Sequence, residues 1–313
     1  MGRRSQPRSG SLQIWPRKRA EKFLPSVNWN AIEGQGLLGF IAYKVGMTSC
    51  LVKDLTANSL SKDKKIIVPV TVLEAPSMKI FSIRLYKNGL CNSEIILSSD
   101  KELKRVVKIG KVGKIEDLDK KEFDDLRAIV YSQVGKTAIK KTPDMIEIGF
   151  GGKKEEKIAF VKEKAGKEIF VSEILKKMQM VDLRGLTKGH GLEGPVKRFG
   201  IGLKGHKSEK GVRRPGSLGP WHPHRVTFRV SQAGQMGMQT RVHYNNKIIE
   251  VGKISEKNIN PPEGWQHFGN IKTEYLLVRG SVQGPAKRQV LMTVPLRKTK
   301  KSEKKNYEFV KIQ

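Results

Sequence analysis

The chain predicts a mainly β fold: a closed β-barrel with small helical insertions, a long basic loop and an extended N-terminal arm. Three observations carry that expectation. Short runs of branched and aromatic residues, separated by turn signals, recur through residues 37–97 and again between 128 and 294. Many short strands joined in this way favour closure, because a closed sheet leaves no edge unpaired. The stretch from Asp182 to Tyr244 sets twelve Lys and Arg against three acids, with few large apolar residues. The N-terminus is basic and punctuated by proline.

Residues 1–36 read as the arm. Arg3, Arg4, Arg8, Arg17, Lys18 and Arg19 are spaced by Pro7, Pro16 and Pro25, and proline opposes helix and favours extended backbone. Trp15 and Trp29 either stack on bases or pin the arm to the core. Residues 37–181 and 245–298 are assigned to the globular β domain. Its strand candidates are Gly39–Tyr43, Ile66–Leu73, Ile80–Tyr86, Ala128–Tyr131, Met145–Phe150, Lys247–Val251, Glu274–Val278 and Val290–Val294, with Lys87-Asn88-Gly89 as a turn. Two helical insertions are expected. One is Lys120–Leu126, with Phe123 and Leu126 on one face. The other is Glu155–Ala165, where Ile158, Val161 and Ala165 keep helical spacing and Gly166 can end the helix. Residues 299–313 close the chain as a basic tail.

Charge is the outlying quantity. The 313 residues carry a formal net charge of +31, and self-repulsion on that scale calls for a polyanionic partner. Neutralising about ten phosphates would make affinity fall by roughly five decades between about 50 and 200 mM salt. Residues 182–244 are the centre of this charge and hold five of the six histidines. They have too little apolar surface to repay the cost of ordering their own backbone. Folded RNA supplies both the phosphates and a surface that glycine lets the backbone approach. Cys50 and Cys91 make neither a disulfide framework nor a zinc site, and both are expected in the core. No signal peptide and no apolar run of membrane-spanning length is visible, so an intracellular, reducing compartment is expected.

Several motifs mislead. Gly189-His-Gly-Leu-Glu-Gly194 fits a dinucleotide fingerprint, but Pro195, Gly200, Gly202 and Gly205 oppose the helix it needs, and Arg213 and Arg214 stand where the acid belongs. Gly135-Lys136-Thr137 lacks the first glycine of a phosphate loop, since position 130 is Val130. His206, His222, His224 and His243 have no cysteine near them to complete a metal site. Ser217 and Ser231 lack a nucleophile elbow. Ala233-Gly-Gln-Met-Gly237 only partly matches a peptide-release tip, and reads as a loop that approaches RNA closely. No catalytic residue, metal or cofactor is assigned.

Six ordered stretches then point to a family. They are Pro16–Ala20, Gly39–Thr48, Gly185–Gly194, Pro215–Pro223, Ala233–Gly237 and Gly280–Arg288. In these the chain resembles the large-subunit ribosomal protein L-three family, in its archaeal form, over nearly its whole length. The resemblance implies a barrel like that of translation factors on the solvent side of the large subunit. A loop and the N-terminal arm would run inward through rRNA toward the peptidyl transferase centre. It also implies early rRNA binding that nucleates assembly, and neighbours that include another universal large-subunit protein and a zinc-ribbon protein. The tryptophan that ends the family's inward loop maps onto Trp221, flanked by Arg213, Arg214, His222 and His224. Departures are Ser49, where relatives commonly have His, and Glu209, where eukaryotic members have one. Residues 101–125 match the family poorly and are expected to form a lineage-specific surface.

The expected function is therefore a structural constituent of the large ribosomal subunit, cytoplasmic and ribosome-bound, with no small-molecule substrate and no membrane. The residues expected to contact rRNA are the six arm cations named above together with Lys188, His190, Lys197, Arg198, Lys204, His206, Lys207, Arg213, Arg214, Trp221, His222, His224, Arg225, Gln235, Arg241, Lys287 and Arg288. The competing readings are an RNA-modifying enzyme with a basic docking loop and a general nucleic-acid compaction protein. The first requires a cofactor fingerprint or a paired acid and base, and the second requires equal affinity for duplex DNA.

Overall fold

A computed structural model describes residues 11–118, 121–137 and 139–313. Arg3, Arg4 and Arg8 lie outside the described residues. The strands in chain order are β1 (Gly36–Leu37), β2 (Gly39–Asp54), β3 (Lys65–Ala75), β4 (Met78–Lys87), β5 (Leu90–Ile96), β6 (Asp125–Ser132), β7 (Met145–Gly151), β8 (Met180–Leu186), β9 (Gly191–Glu193), β10 (Gly234–Met236), β11 (Thr240–Lys253), β12 (Glu274–Arg279), β13 (Gln289–Thr293) and β14 (Tyr307–Ile312). The α-helices are α1 (Lys154–Lys164), α2 (Val171–Ile174), α3 (Pro195–Phe199) and α4 (Lys300–Glu303). The molecule is mainly β and divides into two compact units: residues 24–185 with 242–313, and residues 1–23 with 186–241.

The larger unit carries two sheets. One has seven strands in the order β13-β8-β11-β12-β3-β2-β14, with β13 also paired to β2; the other has five, in the order β1-β7-β6-β4-β5. Strand periodicity explains how the larger sheet is buried on both faces. On β12, Leu276 and Val278 enter one apolar cluster with Phe40, Ile80, Ile83, Val130 and Ile148 from both sheets. Their neighbours Tyr275 and Leu277 enter another, with Val70, Val72, Trp265 and Phe268. The turn after β4 follows the residue types, since Asn88 and Gly89 both take positive φ, as a tight hairpin requires.

The arm is partly absorbed into this unit. Leu24, Trp29 and Ile32 are buried in the core, so Trp29 pins the chain and is not free to stack on a base. Its indole Nε1 donates to the Glu147 carbonyl at 3.1 Å. Gly149 makes the room: a Cβ there would lie 2.7 Å from the Trp29 Cβ. The far end of the chain is likewise secured. Within residues 299–313, β14 pairs antiparallel with β2. The buried Lys247 ammonium donates to the carbonyls of Ser302, Glu303 and Lys305 around the end of α4.

Two expectations are corrected. Of the expected helix Lys120–Leu126, Lys120 lies outside the described residues, and residues 121–126 are not helical. Leu126 belongs to β6, opposite Leu85, and Leu126, Ala128 and Val130 are buried at a period of two, which overrides the three-residue spacing of Phe123 and Leu126. Cys91 is exposed. It is the second residue of β5, the edge strand of the five-stranded sheet, where Leu90 is exposed as well. Cys50 is buried as expected, and burial pushes its thiol up to about 11. Helix α1 forms where expected, with Val161 buried and Gly166 at positive φ after its end. No described helix is long and apolar enough to cross a membrane.

Residues 254–273 cover the outer face of the larger sheet, and a buried carboxylate fastens them there. Glu74 Oε1 accepts from the amides of Lys272 and Thr273 at 2.8 and 3.2 Å and from the Thr273 hydroxyl at 3.1 Å. Glu74 Oε2 is buried without a hydrogen-bond partner. Burial raises this carboxyl above its ordinary value of 4.5 despite those donors. A carboxyl whose folded pKa is raised gives stability that is full below its unfolded pKa and lost as pH rises through the folded one. Unfolding of the purified chain, followed from pH 4 upward, should therefore show a falling component in mildly acidic buffer. The Glu74→Gln variant should lack that component.

Candidate nucleic-acid interface

The smaller unit is built on a short two-stranded ribbon. Strands β9 and β10 pair antiparallel, with Gln235 opposite Leu192 and Met236 opposite Gly191. The pairing continues past them: the His190 amide donates to Met236 O at 2.9 Å and the Thr187 amide to Gln239 O at 3.1 Å. Gly237 makes the close approach possible. It sits at φ +76°, and a Cβ there would collide with the Lys188 carbonyl. The chain between the strands opens with α3, whose start at Pro195 suits a residue with no amide hydrogen to lose. Gly200 ends it in the left-handed region. The helix has five residues and follows a strand formed by Gly191–Glu193, so the fingerprint-like glycines do not open a helix of the kind a dinucleotide needs.

Arg198 holds this ribbon together. Its Nε donates to Gln235 O at 3.1 Å, and its Nη1 to Gln232 O at 3.0 Å and Ala233 O at 3.5 Å. An aromatic cluster completes the base. Trp15 lies against Phe199 with ring centroids 6.3 Å apart and meets Phe228 edge-on at 5.4 Å. The Arg17 guanidinium sits 4.3 Å from the Phe199 centroid. The arm is also tied by its backbone, the Ala20 amide donating to Met238 O at 2.9 Å. A cleft of about 320 Å³ is lined by Arg17, Lys188, His190, Arg198, Gln235 and Arg241, among others.

Beyond this base, backbone bonds become sparse. Lys204 N to Val212 O, Ser208 N to Gly205 O, Arg225 N to Pro223 O and Val230 N to Thr227 O span most of residues 200–231. Lys204, His206, Lys207, Lys210, Arg213, Arg214, His222, His224 and Arg225 are all exposed. The six Lys and Arg of that set make no ion pair among the described residues. Trp221 is 80% exposed. It meets His224 edge-on at 5.4 Å, and His224 in turn meets His222 at 4.5 Å. An exposed indole against the His224 ring presents a stacking platform rather than a core residue.

The expected contact residues thus separate by geometry. Lys18, Arg19, Lys188 and His190 are exposed with the outer cations. Lys197 is exposed too, but Glu193 holds it at 2.5 Å. Arg17, Arg198, Gln235 and Arg241 are half-buried. The Gln235 amide donates back to Met236 O and Gly237 O, so it does not project as a tip. Arg241 donates to Thr240 O and Gln239 Oε1. Lys287 and Arg288 belong to the larger unit, Lys287 exposed and Arg288 half-buried. Burial lowers the Arg288 guanidinium from its ordinary value. Sequence reasoning left out Phe199 and Phe228. Their signal was their placement on either side of the glycine-rich stretch, visible only once Trp15 had been paired with them. Among the described residues, no group of three or more His, Cys, Asp or Glu could hold a metal ion.

Gly237→Ala should force the ribbon open. Amide hydrogen exchange at His190, Met238 and Gln239 should accelerate by at least about tenfold, the equivalent of roughly 1.4 kcal/mol. Amides of β3 and β12 should exchange as before.

Comparison with known proteins places the chain in a family. The family described as Ribosomal protein L3 matches residues 1–95 and 97–313. The matched span includes residues 101–125. The large ribosomal subunit protein uL3 of Methanobrevibacter smithii is 40% identical over 323 residues, covering 97% of this chain and 95% of the relative. The protein of the same description from Archaeoglobus fulgidus is 38% identical over 309 residues, covering 94% and 93%. The chain belongs to the ribosomal protein L3 family.

Proposed function

We propose that the chain is a structural constituent of the large ribosomal subunit, ribosome-bound in the cytoplasm, with no chemistry of its own. It binds large-subunit rRNA and nucleates its folding. Residues 1–23 and 186–241 follow the rRNA inward toward the peptidyl transferase centre, beside neighbouring large-subunit proteins. The seven-stranded sheet, with β13 paired to both β8 and β2, closes as the translation-type barrel of the globular part. The relatives' description as large ribosomal subunit proteins supports the setting.

The observation that carries the reading is the row of six exposed Lys and Arg in residues 204–225, which has Glu209 as its single acid and makes no ion pair among the described residues. In isolation these charges repel one another along a chain with few backbone bonds. Closely spaced phosphates remove that repulsion, and release of their counterions supplies the driving force. Arginine at 213, 214 and 225 adds bidentate bonding to phosphate and stacking on bases. The segment takes its final shape when RNA surrounds it.

Replacing Lys204, Lys207, Arg213 and Arg214 by Ala should lower the salt at which the protein washes from large subunits. Release at an unchanged salt concentration would count against the proposal. Trp221→Ala removes a stacking surface worth about 1–3 kcal/mol. Reconstituted subunits carrying it should form in normal yield but accommodate tRNA more slowly, as read by stopped-flow kinetics.

A further inference from the structure

The larger unit carries a second concentration of positive charge, remote in sequence from the segment described above. Lys101, Lys104, Arg105, Lys108, Lys111 and Lys114 fall within fourteen residues between β5 and β6. All six are exposed, and none makes an ion pair among the described residues. Several lysines elsewhere on this unit are paired. Lys79 pairs with Asp100, Lys87 with Glu122, Lys136 with Glu168, Lys140 with Asp144 and Lys157 with Asp125. Within the stretch 101–114 Glu102 is the single acid against six cations, so it is left with a net excess of positive charge.

Nor is the stretch a loose tail. Leu103 is fully buried with Phe81 and Tyr131, and Ile109 packs against the same cluster. The Leu97 amide donates to Phe81 O and the Gly113 amide to Ile96 O, at 2.8 Å each, so the segment leaves β5 and returns to it. Arg105 Nη1 donates to Lys141 O at 3.1 Å, which brings the exposed Lys141 alongside. Cations on a backbone anchored at both ends stay close together despite their repulsion. That arrangement carries an energetic cost unless a polyanion offsets it.

We infer that residues 101–114 form a second RNA-docking surface, which grips the phosphate backbone of an RNA helix without reading its sequence. The inference rests on the chain being an RNA-binding protein, and adds a contact separate from residues 186–241. The residue types select the partner. Five of the six cations are lysine, the compact point charge suited to phosphate contacts that position rather than specify. The stretch from 98 to 118 has no aromatic residue, and its exposed apolar side chains are Val106, Val107 and Val112. Protein interfaces are depleted in lysine and anchored by aromatics, so an acidic protein is the poorer fit.

The test compares two variants of the full chain, binding a short RNA duplex of unrelated sequence across a salt series. Lys104, Lys108, Lys111 and Lys114 are changed to Ala in one; Lys204, Lys207, Arg213 and Arg214 in the other. Loss of four phosphate contacts should flatten the slope of log K against log salt by about three in each. Substituting Arg at the four positions of the first set should keep the slope. A flattened slope for the second variant alone would overturn this surface and leave the proposed function standing. No flattening in either would remove both. Flattening in the Arg version as well would assign the effect to damaged packing and overturn the inference. An unchanged RNA slope with lost binding to polyglutamate would overturn it in favour of an acidic protein partner. The six side chains are exposed, so far-ultraviolet circular dichroism and the thermal midpoint should match those of the parent.

Discussion

The geometry of the smaller unit depends on one guanidinium. Arg198 donates to three carbonyls of residues 232–235 and leans on Phe199 beside Trp15. A long chain with little apolar surface needs its two ends fixed together if the stretch between them is to have a defined course. Hydrogen bonding and ring contact supply that here, where a hydrophobic core cannot. The same commitment removes Arg198 from the set of cations that can face phosphate fully, since its fork is already engaged with the protein. Basic residues in such a segment therefore serve two different ends. Some build the support, and others remain unneutralised at its surface.

That division also explains the contrast between the units. In the larger one, apolar burial on both faces of the main sheet provides stability, and lysines such as Lys136, Lys140 and Lys157 are matched to acids. In the smaller one, matched charge is rare, the Lys197–Glu193 pair being an example of it. The free energy that would compensate for ordering the backbone has to come from outside the polypeptide. Under the proposed function, rRNA phosphates are that source.

Much of this was legible in the residues. Strands such as Ile80–Tyr86 and Glu274–Val278 announced themselves by branched and aromatic composition, and α1 by its spacing. Strand β14 was hidden because Glu308 and Lys311 alternate with Tyr307, Phe309 and Ile312, so the run read as part of a basic tail. The edge position of β5 left Cys91 in solvent, a fact about sheet order that local sequence does not encode. At the interface, charge and glycine content located the segment but could not sort its members. Lys197 and Lys204 look alike in sequence, and only the acid one helical turn away distinguishes them. Gln235 was expected to contact RNA from a close-approach loop, and only the structure shows its amide folded onto its own backbone.

The pairing pattern of β2 carries a consequence for how the molecule is made. This strand is among the first synthesised, yet its partners β13 and β14 lie at the opposite end of the polypeptide. During translation it must wait with one edge open until nearly the whole chain has left the ribosome that is producing it. Newly made protein thus passes through an interval with an uncovered strand and a surplus of positive charge, a combination prone to indiscriminate association. A dedicated escort, or immediate capture by nascent ribosomal RNA, would shorten that exposure.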